Sequence, residues 1–148
     1  MILNEYETIY VARPDLTEDV MTKLTSRFEQ LVGENAGTIL VTDDWGKRKL
    51  AYPISRHQRG HYIYLNYVGP AAIVAEVERN LRNEDQLLRF LTVKLGDAVD
   101  VDVSRQLAEE RQRIRRARLE QLKLEEENEA RWREGEEDEE QPVEEVVE

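Results

Sequence analysis

Few residues in this chain could do chemistry, and most of them crowd into one stretch, "DDWGKRKLAYPISRHQRGH", residues 43 to 61. Both histidines of the chain, His57 and His61, lie there, but a pair four apart beside a turn lacks the helical geometry that would make it a metal motif. Asp43 and Asp44 adjoin on a predicted strand, so their carboxylates point to opposite faces and do not form a coupled acid and base pair. No serine sits in a nucleophile elbow and no glycine-rich phosphate loop occurs. Cysteine is absent, which removes disulfides, thiol chemistry and thiolate metal sites. The residues therefore predict no catalytic centre, no metal, no cofactor and no small-molecule substrate.

What remains is charge. Lys47, Arg48 and Lys49, then Arg56 and Arg59, place five cations within thirteen residues, interleaved with Trp45, Tyr52 and His57. Cations neutralise phosphates, while aromatic rings and arginine planes stack on unpaired bases, so this composition suits structured RNA. Lysines on an edge strand can also serve only to block sheet-to-sheet aggregation. A second group, Arg79, Arg82, Arg89 and Lys94, falls at the end of a predicted helix and on the strand after it, where capping charge is the alternative.

The elements that must position these residues follow from periodicity. "YETIYVA" (Tyr6 to Ala12) reads as a strand that stops before Pro14. A helix follows, capped by Asp15 or Thr17, with Met21, Leu24, Phe28 and Leu31 as its stripe and Gly33 as its end. Residues 37 to 54 read as one long strand with Gly46 as a bulge or bend. "SRHQRG" turns it into "HYIYLNYV" (His61 to Val68), making a hairpin. Pro70 introduces a second helix with Ile73, Val74, Val77 and Leu81 on one face, and Gln86 to Leu95 is the last strand. The order βαββαβ is the split βαβ arrangement of ferredoxin-like α+β domains, a four-stranded antiparallel sheet with two helices on one face. Enzymes exist on this fold, acylphosphatase among them, but such a site wants a glycine-rich anion cradle after the first strand, and "VARPDLTED" supplies Arg13 without glycine.

Helices on one side leave the other face of the sheet to alternate to polar residues. Here both parities are apolar or aromatic: Tyr62 and Tyr64 alternate with Ile63 and Leu65. Such a face marks a protein interface or a tail that folds back over it. Trp45, Tyr52, Tyr62 and Tyr64 are the candidates for contact with a protein partner.

Charge divides the chain into a domain of residues 1–97 and a tail of residues 98–148. The first carries 12 Lys and Arg against 14 Asp and Glu, the second 9 against 18, within a total of −11. The acidity belongs mostly to the tail, so it does not argue against a nucleic-acid partner for the body. The tail predicts a solvated helix over about 105–133, with Glu109 to Arg113, Glu127 to Arg131 and Glu129 to Arg133 at i,i+4, then a disordered acidic end. The N-terminus has no cationic region ahead of its apolar part, and no run approaches the ~20 apolar residues of a membrane span. The expectation is a soluble cytoplasmic protein.

The element order, "YE" at Tyr6 and Glu7, Pro14, "WGKRKLAYPI" and "LRNEDQLLRFLTVK" together resemble the bacterial ribosomal small-subunit protein six family over residues 4 to 95. The resemblance implies a non-enzymatic component of the small ribosomal subunit. It implies pairing with small-subunit protein eighteen and joint binding of the central domain of small-subunit ribosomal RNA. The family's basic positions fall on Lys47, Arg48, Arg82 and Arg89. Where members commonly carry a basic residue before "YE", this chain has Asn4 and Glu5. A ferredoxin-like regulatory module that pairs through its open face and binds no RNA is the alternative.

Overall fold

A computed structural model of the chain describes residues 1–139. The elements run β1 (Asn4–Ala12), α1 (Glu18–Glu34), β2 (Thr38–Ile54), β3 (His57–Gly69), α2 (Ile73–Arg82), β4 (Leu87–Gly96) and α3 (Val101–Glu139). The strands form one antiparallel sheet in the order β2-β3-β1-β4, the ferredoxin-like arrangement that the pattern predicts.

The core lies between one parity of the sheet and the helices. Tyr6, Tyr10, Ala12, Ile63, Leu65 and Tyr67 join Met21, Leu24, Phe28 and Val32 of α1 and Ile73, Val77 and Leu81 of α2. Register explains the sheet's share: Tyr6 faces Tyr67, Thr8 faces Leu65 and Tyr10 faces Ile63 across the β1–β3 ladder, so alternate residues share a face. The buried hydroxyls are satisfied. Thr8 Oγ1 is 2.9 Å from both Tyr67 Oη and Thr92 Oγ1, and Tyr10 Oη is 2.9 Å from Thr25 Oγ1. Burial raises the Tyr10 pKa to about 12, and raises that of Tyr67 as well.

Three local expectations change. Gly33 lies inside α1; the helix ends at Glu34, with Asn35 Nδ2 donating to the Leu31 carbonyl and Ala36 supplying the left-handed residue at φ 60°. Val32, rather than Leu31, is the fully buried residue of its last turn. The hairpin turn is not the whole of residues 55 to 60. Only Ser55 and Arg56, at φ 47° and 69°, connect Ile54 to its partner His57, the backbone of a two-residue primed turn. Arg59 is therefore on β3 and not in the turn.

Of the bulge or bend expected at Gly46 the structure has the bulge: the register slips between Asp44, opposite Ile63, and Gly46, opposite Tyr62, so Trp45 is an inserted residue. Gly46 has φ 77°, and its N–H donates to Asp44 Oδ1 at 2.7 Å. The ladder slips again between Lys49 and Ile54, where Pro53 lacks an N–H to contribute.

One compact unit comprises Met1–Glu109. Within it, the chain after β4 returns to the start of β1, with Ala98 N donating to Asn4 Oδ1 and Val99 N to the Leu3 carbonyl. Ser104 and Ala108 are buried on the first turns of α3. Residues from Glu110 form a second unit, helical to Glu139. The helix thus starts before the expected 105 and runs through the first residues of the run expected to be disordered; residues 140–148 lie outside the described part. Of the three i,i+4 pairs, Glu129 and Arg133 meet, at 4.0 Å. No described helix is both long and apolar enough to cross a membrane.

Candidate nucleic-acid and protein interface

The sheet face away from α1 and α2 carries the parity that includes Ile9, Val11, Tyr62 and Tyr64. Tyr62 and Tyr64 thus face outward, half-buried, whereas Ile63 and Leu65 point into the core. Trp45 stacks on Tyr64, with ring centroids 5.3 Å apart and planes within 9°. The Arg48 guanidinium lies 5.4 Å from the Trp45 ring, and its Nε donates to the Trp45 carbonyl at 3.4 Å. Tyr64 Oη donates to Glu7 Oε2 at 2.9 Å, anchoring the stack to β1. One face of the Trp45 ring is taken by Tyr64, so this indole is not the bare platform for a base that its exposure in sequence would suggest.

A second cation–aromatic pair occupies the same sheet face toward β4. Arg89 pairs across the ladder with Val11, and its guanidinium lies 4.9 Å from the ring of Tyr52. Between them the backbone comes close. A Cβ on Gly60 would meet Val11 Cγ1 at 2.2 Å and Leu50 Cδ2 at 3.3 Å, which is why glycine stands there. Tyr52 is 51% exposed, and Leu91 and Val93, whose partners on β1 are Ile9 and Glu7, are 61% and 40% exposed. Apolar side chains left in solvent beside two paired arginines make a surface that a protein partner could cover. The opposite end of this face is closed, since Glu5, Val41, Asn66 and Val68 are buried there.

The cations that stand together in sequence do not stand together in space. Lys47 pairs across the ladder with His61 and Lys49 with Arg59, on the other side of the hairpin from Arg48, which faces Gly60. Lys49 and Arg59 are both exposed and directly opposed, a like-charge pair that costs ~0.2–1 kcal/mol unless an anion lies against it. Arg56 occupies the left-handed tip. The hairpin therefore carries cations on both sides and at its end, and residues 45 to 61 contain five of them and no acid.

The second basic group is partly committed. Arg82 ends α2 with its guanidinium 6.0 Å from Phe90 and 4.0 Å from Glu78. Lys94, opposite Tyr6, holds Asp97 at 2.8 Å, and that hydrogen bond raises its pKa above the ordinary lysine value. Arg79 is paired with Glu76 at 2.9 Å, with the same effect. Arg89 is the member of this group that joins the outer face.

Asp44 and His61 were read from sequence without a common role. The structure joins them: His61 Nε2 is 2.6 Å from Asp44 Oδ1, the same oxygen that accepts from Gly46 N. This pair fixes the bulge. It borders a cleft of about 440 Å³ between α1 and the hairpin, lined among others by Thr25, Glu29, Thr42 and Lys47. Among the described residues no serine or threonine hydroxyl is hydrogen-bonded to His61. Nor does any described group of three His, Asp or Glu suit a metal ion.

Comparisons with known proteins point to one family. A family model described as "Ribosomal protein S6" matches residues 5–94. Over 98 residues the chain is 40% identical to small ribosomal subunit protein bS6 of Syntrophobacter fumaroxidans, covering 66% of this chain and 67% of that one. It is 41% identical over 98 residues to bS6 of Nitratidesulfovibrio vulgaris, covering 66% of this chain and 97% of that one. Across the relatives, the matched stretch spans from about half to nearly all of their length. Among solved structures, 30S ribosomal protein S6 from Thermotoga maritima superposes with a TM-score of 0.60 at 21% identity, over 74% of this chain and 98% of that one, and so shares the fold.

Proposed function

The chain belongs to the ribosomal protein S6 family, and from that premise we propose that its β2–β3 hairpin binds small-subunit ribosomal RNA while its outer sheet face seats small-subunit protein eighteen. Membership makes it a structural protein of the small ribosomal subunit and not an enzyme. The reading carries with it a cytoplasmic location, where bacterial ribosomes assemble and work.

The observation that carries the RNA half is the direct opposition of Lys49 and Arg59, flanked by Lys47 on the same side, Arg48 on the other and Arg56 at the tip. A hairpin of this kind is under electrostatic strain by itself and is relieved by phosphate, which can approach from two sides. The partner half rests on Leu91, Val93 and Tyr52, apolar surface beside the arginine–aromatic pairs. We assign Arg82 and Lys94 a supporting role, because each is ion-paired and must release an acid to meet phosphate. Because β2 is an edge strand, edge protection by its lysines is a second reading that the topology favours.

The test is replacement of Lys47, Lys49 and Arg48 by Ala, with binding to a central-domain RNA transcript followed across salt concentrations, with and without protein eighteen. Three lost phosphate contacts lower the salt slope by about 2.1–2.7. An unchanged slope and affinity would leave these cations as edge protection only.

A further inference from the structure

The family match ends at residue 94, and α3 lies outside it. Five arginines and no lysine fall within eight residues of this helix, at 111, 113, 115, 116 and 118. We propose that this segment is a second RNA-binding surface, gripping the phosphate backbone of folded RNA; the inference rests on the reading of the domain as RNA-binding.

Charge order makes the first part of the argument. Residues 105 to 118, in the N-terminal half of the helix, hold six Arg against two Glu. Residues 119 to 139 hold three cations against ten acids. In a continuous helix the two segments neutralise each other only at their junction: residues 115 and 129 are about 21 Å apart at ~1.5 Å per residue, more than two Debye lengths of about 8 Å. Three of these arginines are not spent locally. Arg113, Arg116 and Arg118 are exposed and, among the described residues, make no ion pair or hydrogen bond, although Glu109 stands four residues before Arg113. An outside anion is what this segment lacks.

Geometry selects the kind of anion. Arg113 and Arg116, three apart, share one side of the helix, while Arg111, Arg115 and Arg118 share the other. A partner helix would meet one side only; opposed rows of phosphate across a groove meet both. The exclusive use of arginine fits bidentate phosphate binding. Pairing with α3 of a second copy would also bring acids to these arginines, but it needs an apolar seam, and Leu107 and Ile114 are followed at the next heptad position by Gln121.

The experiment uses the full chain, a central-domain RNA transcript and protein eighteen. Arg113→Ala with Arg116→Ala preserves helix propensity, which circular dichroism checks. Two lost contacts lower the salt slope by about 1.4–1.8 and weaken binding on the order of tenfold near 0.1 M salt. Lys49→Ala with Arg59→Ala, the pair that carries the reading of the domain, measured in parallel, is expected to lower the slope independently. If the α3 pair leaves slope and affinity unchanged while the domain pair lowers them, the inference is wrong and the domain reading stands. If only the α3 pair matters, the domain reading fails and the inference survives. A wild-type chain that binds no RNA sinks both. A smaller sedimentation coefficient for the RNA-free α3 variant than for the wild type assigns the arginines to self-association and overturns the inference.

Discussion

Gly46 and Gly33 offer the same chemical change with opposite consequences. A Cβ added at either position meets nothing within 4 Å, so packing does not enter. Gly46, however, sits at φ 77° in the bulge, whereas Gly33 lies within α1. An L-residue in the left-handed region costs about 1–2 kcal/mol, so Gly46→Ala is expected to destabilise by that amount. In a helix interior, glycine is worse than alanine by roughly 0.5–1 kcal/mol, so Gly33→Ala is expected to stabilise by that amount. The two variants should differ by about 1.5–3 kcal/mol, enough to separate their urea midpoints while m stays constant. Gly46→Asn supplies a control, since asparagine tolerates the left-handed region and should lose less than alanine. Shifts of equal sign for Gly33→Ala and Gly46→Ala would refute the argument, because nothing but backbone conformation distinguishes the sites.

Four other outcomes follow from the geometry. Lys49→Glu turns the like-charge pair with Arg59 into an attractive one, so the free protein should gain ~0.2–1 kcal/mol while RNA binding weakens; a parallel rise or fall of both would contradict the phosphate role. Leu91→Glu, at a site 61% exposed, should change stability by less than ~0.5 kcal/mol yet reduce affinity for protein eighteen by an order of magnitude or more, and calorimetric titration with unchanged affinity would remove Leu91 from the seat. Tyr10 stays neutral in the fold to about pH 12 but ionises near pH 10 when unfolded, so its contribution is intact below pH 10 and lost as pH rises from 10 to 12; Tyr10→Phe should flatten that part of the pH–stability curve. A chain ending after Arg118 loses three cations and fourteen acids and should bind RNA as tightly or more tightly; a marked loss would mean that the acidic segment makes favourable contacts.

Periodicity in the sequence identified the helices well because their apolar stripes are uninterrupted, as at Ile73, Val77 and Leu81. The sheet was harder to orient. Tyrosine suits either face, with an apolar ring and a hydroxyl that can reach a partner or solvent, and this sheet buries Tyr6, Tyr10 and Tyr67 while turning Tyr62 and Tyr64 outward. The turn was misplaced for a related reason. Gly60 looked like a turn residue but serves close strand packing, and the true turn, Ser55 and Arg56, lacks the Asn-Gly signature of its backbone type. For the candidate site, residue types were readable and neighbours were not: Arg48 with Trp45, Arg89 with Tyr52 and Asp44 with His61 are pairs that only the bulge and the ladder register create.

That bulge also sets a phase. With Trp45 inserted, Arg48 shares a face with Tyr62 and Tyr64, and Lys47 and Lys49 share the other with His61 and Arg59. Closing the bulge without shortening the strand would shift every later side chain of it to the opposite face. The composition of the hairpin would not change, yet two lysines would arrive where one arginine had been and Arg48 would come to oppose Arg59. Loss of the inserted residue itself, by contrast, should leave Lys47 opposite His61 and Lys49 opposite Arg59.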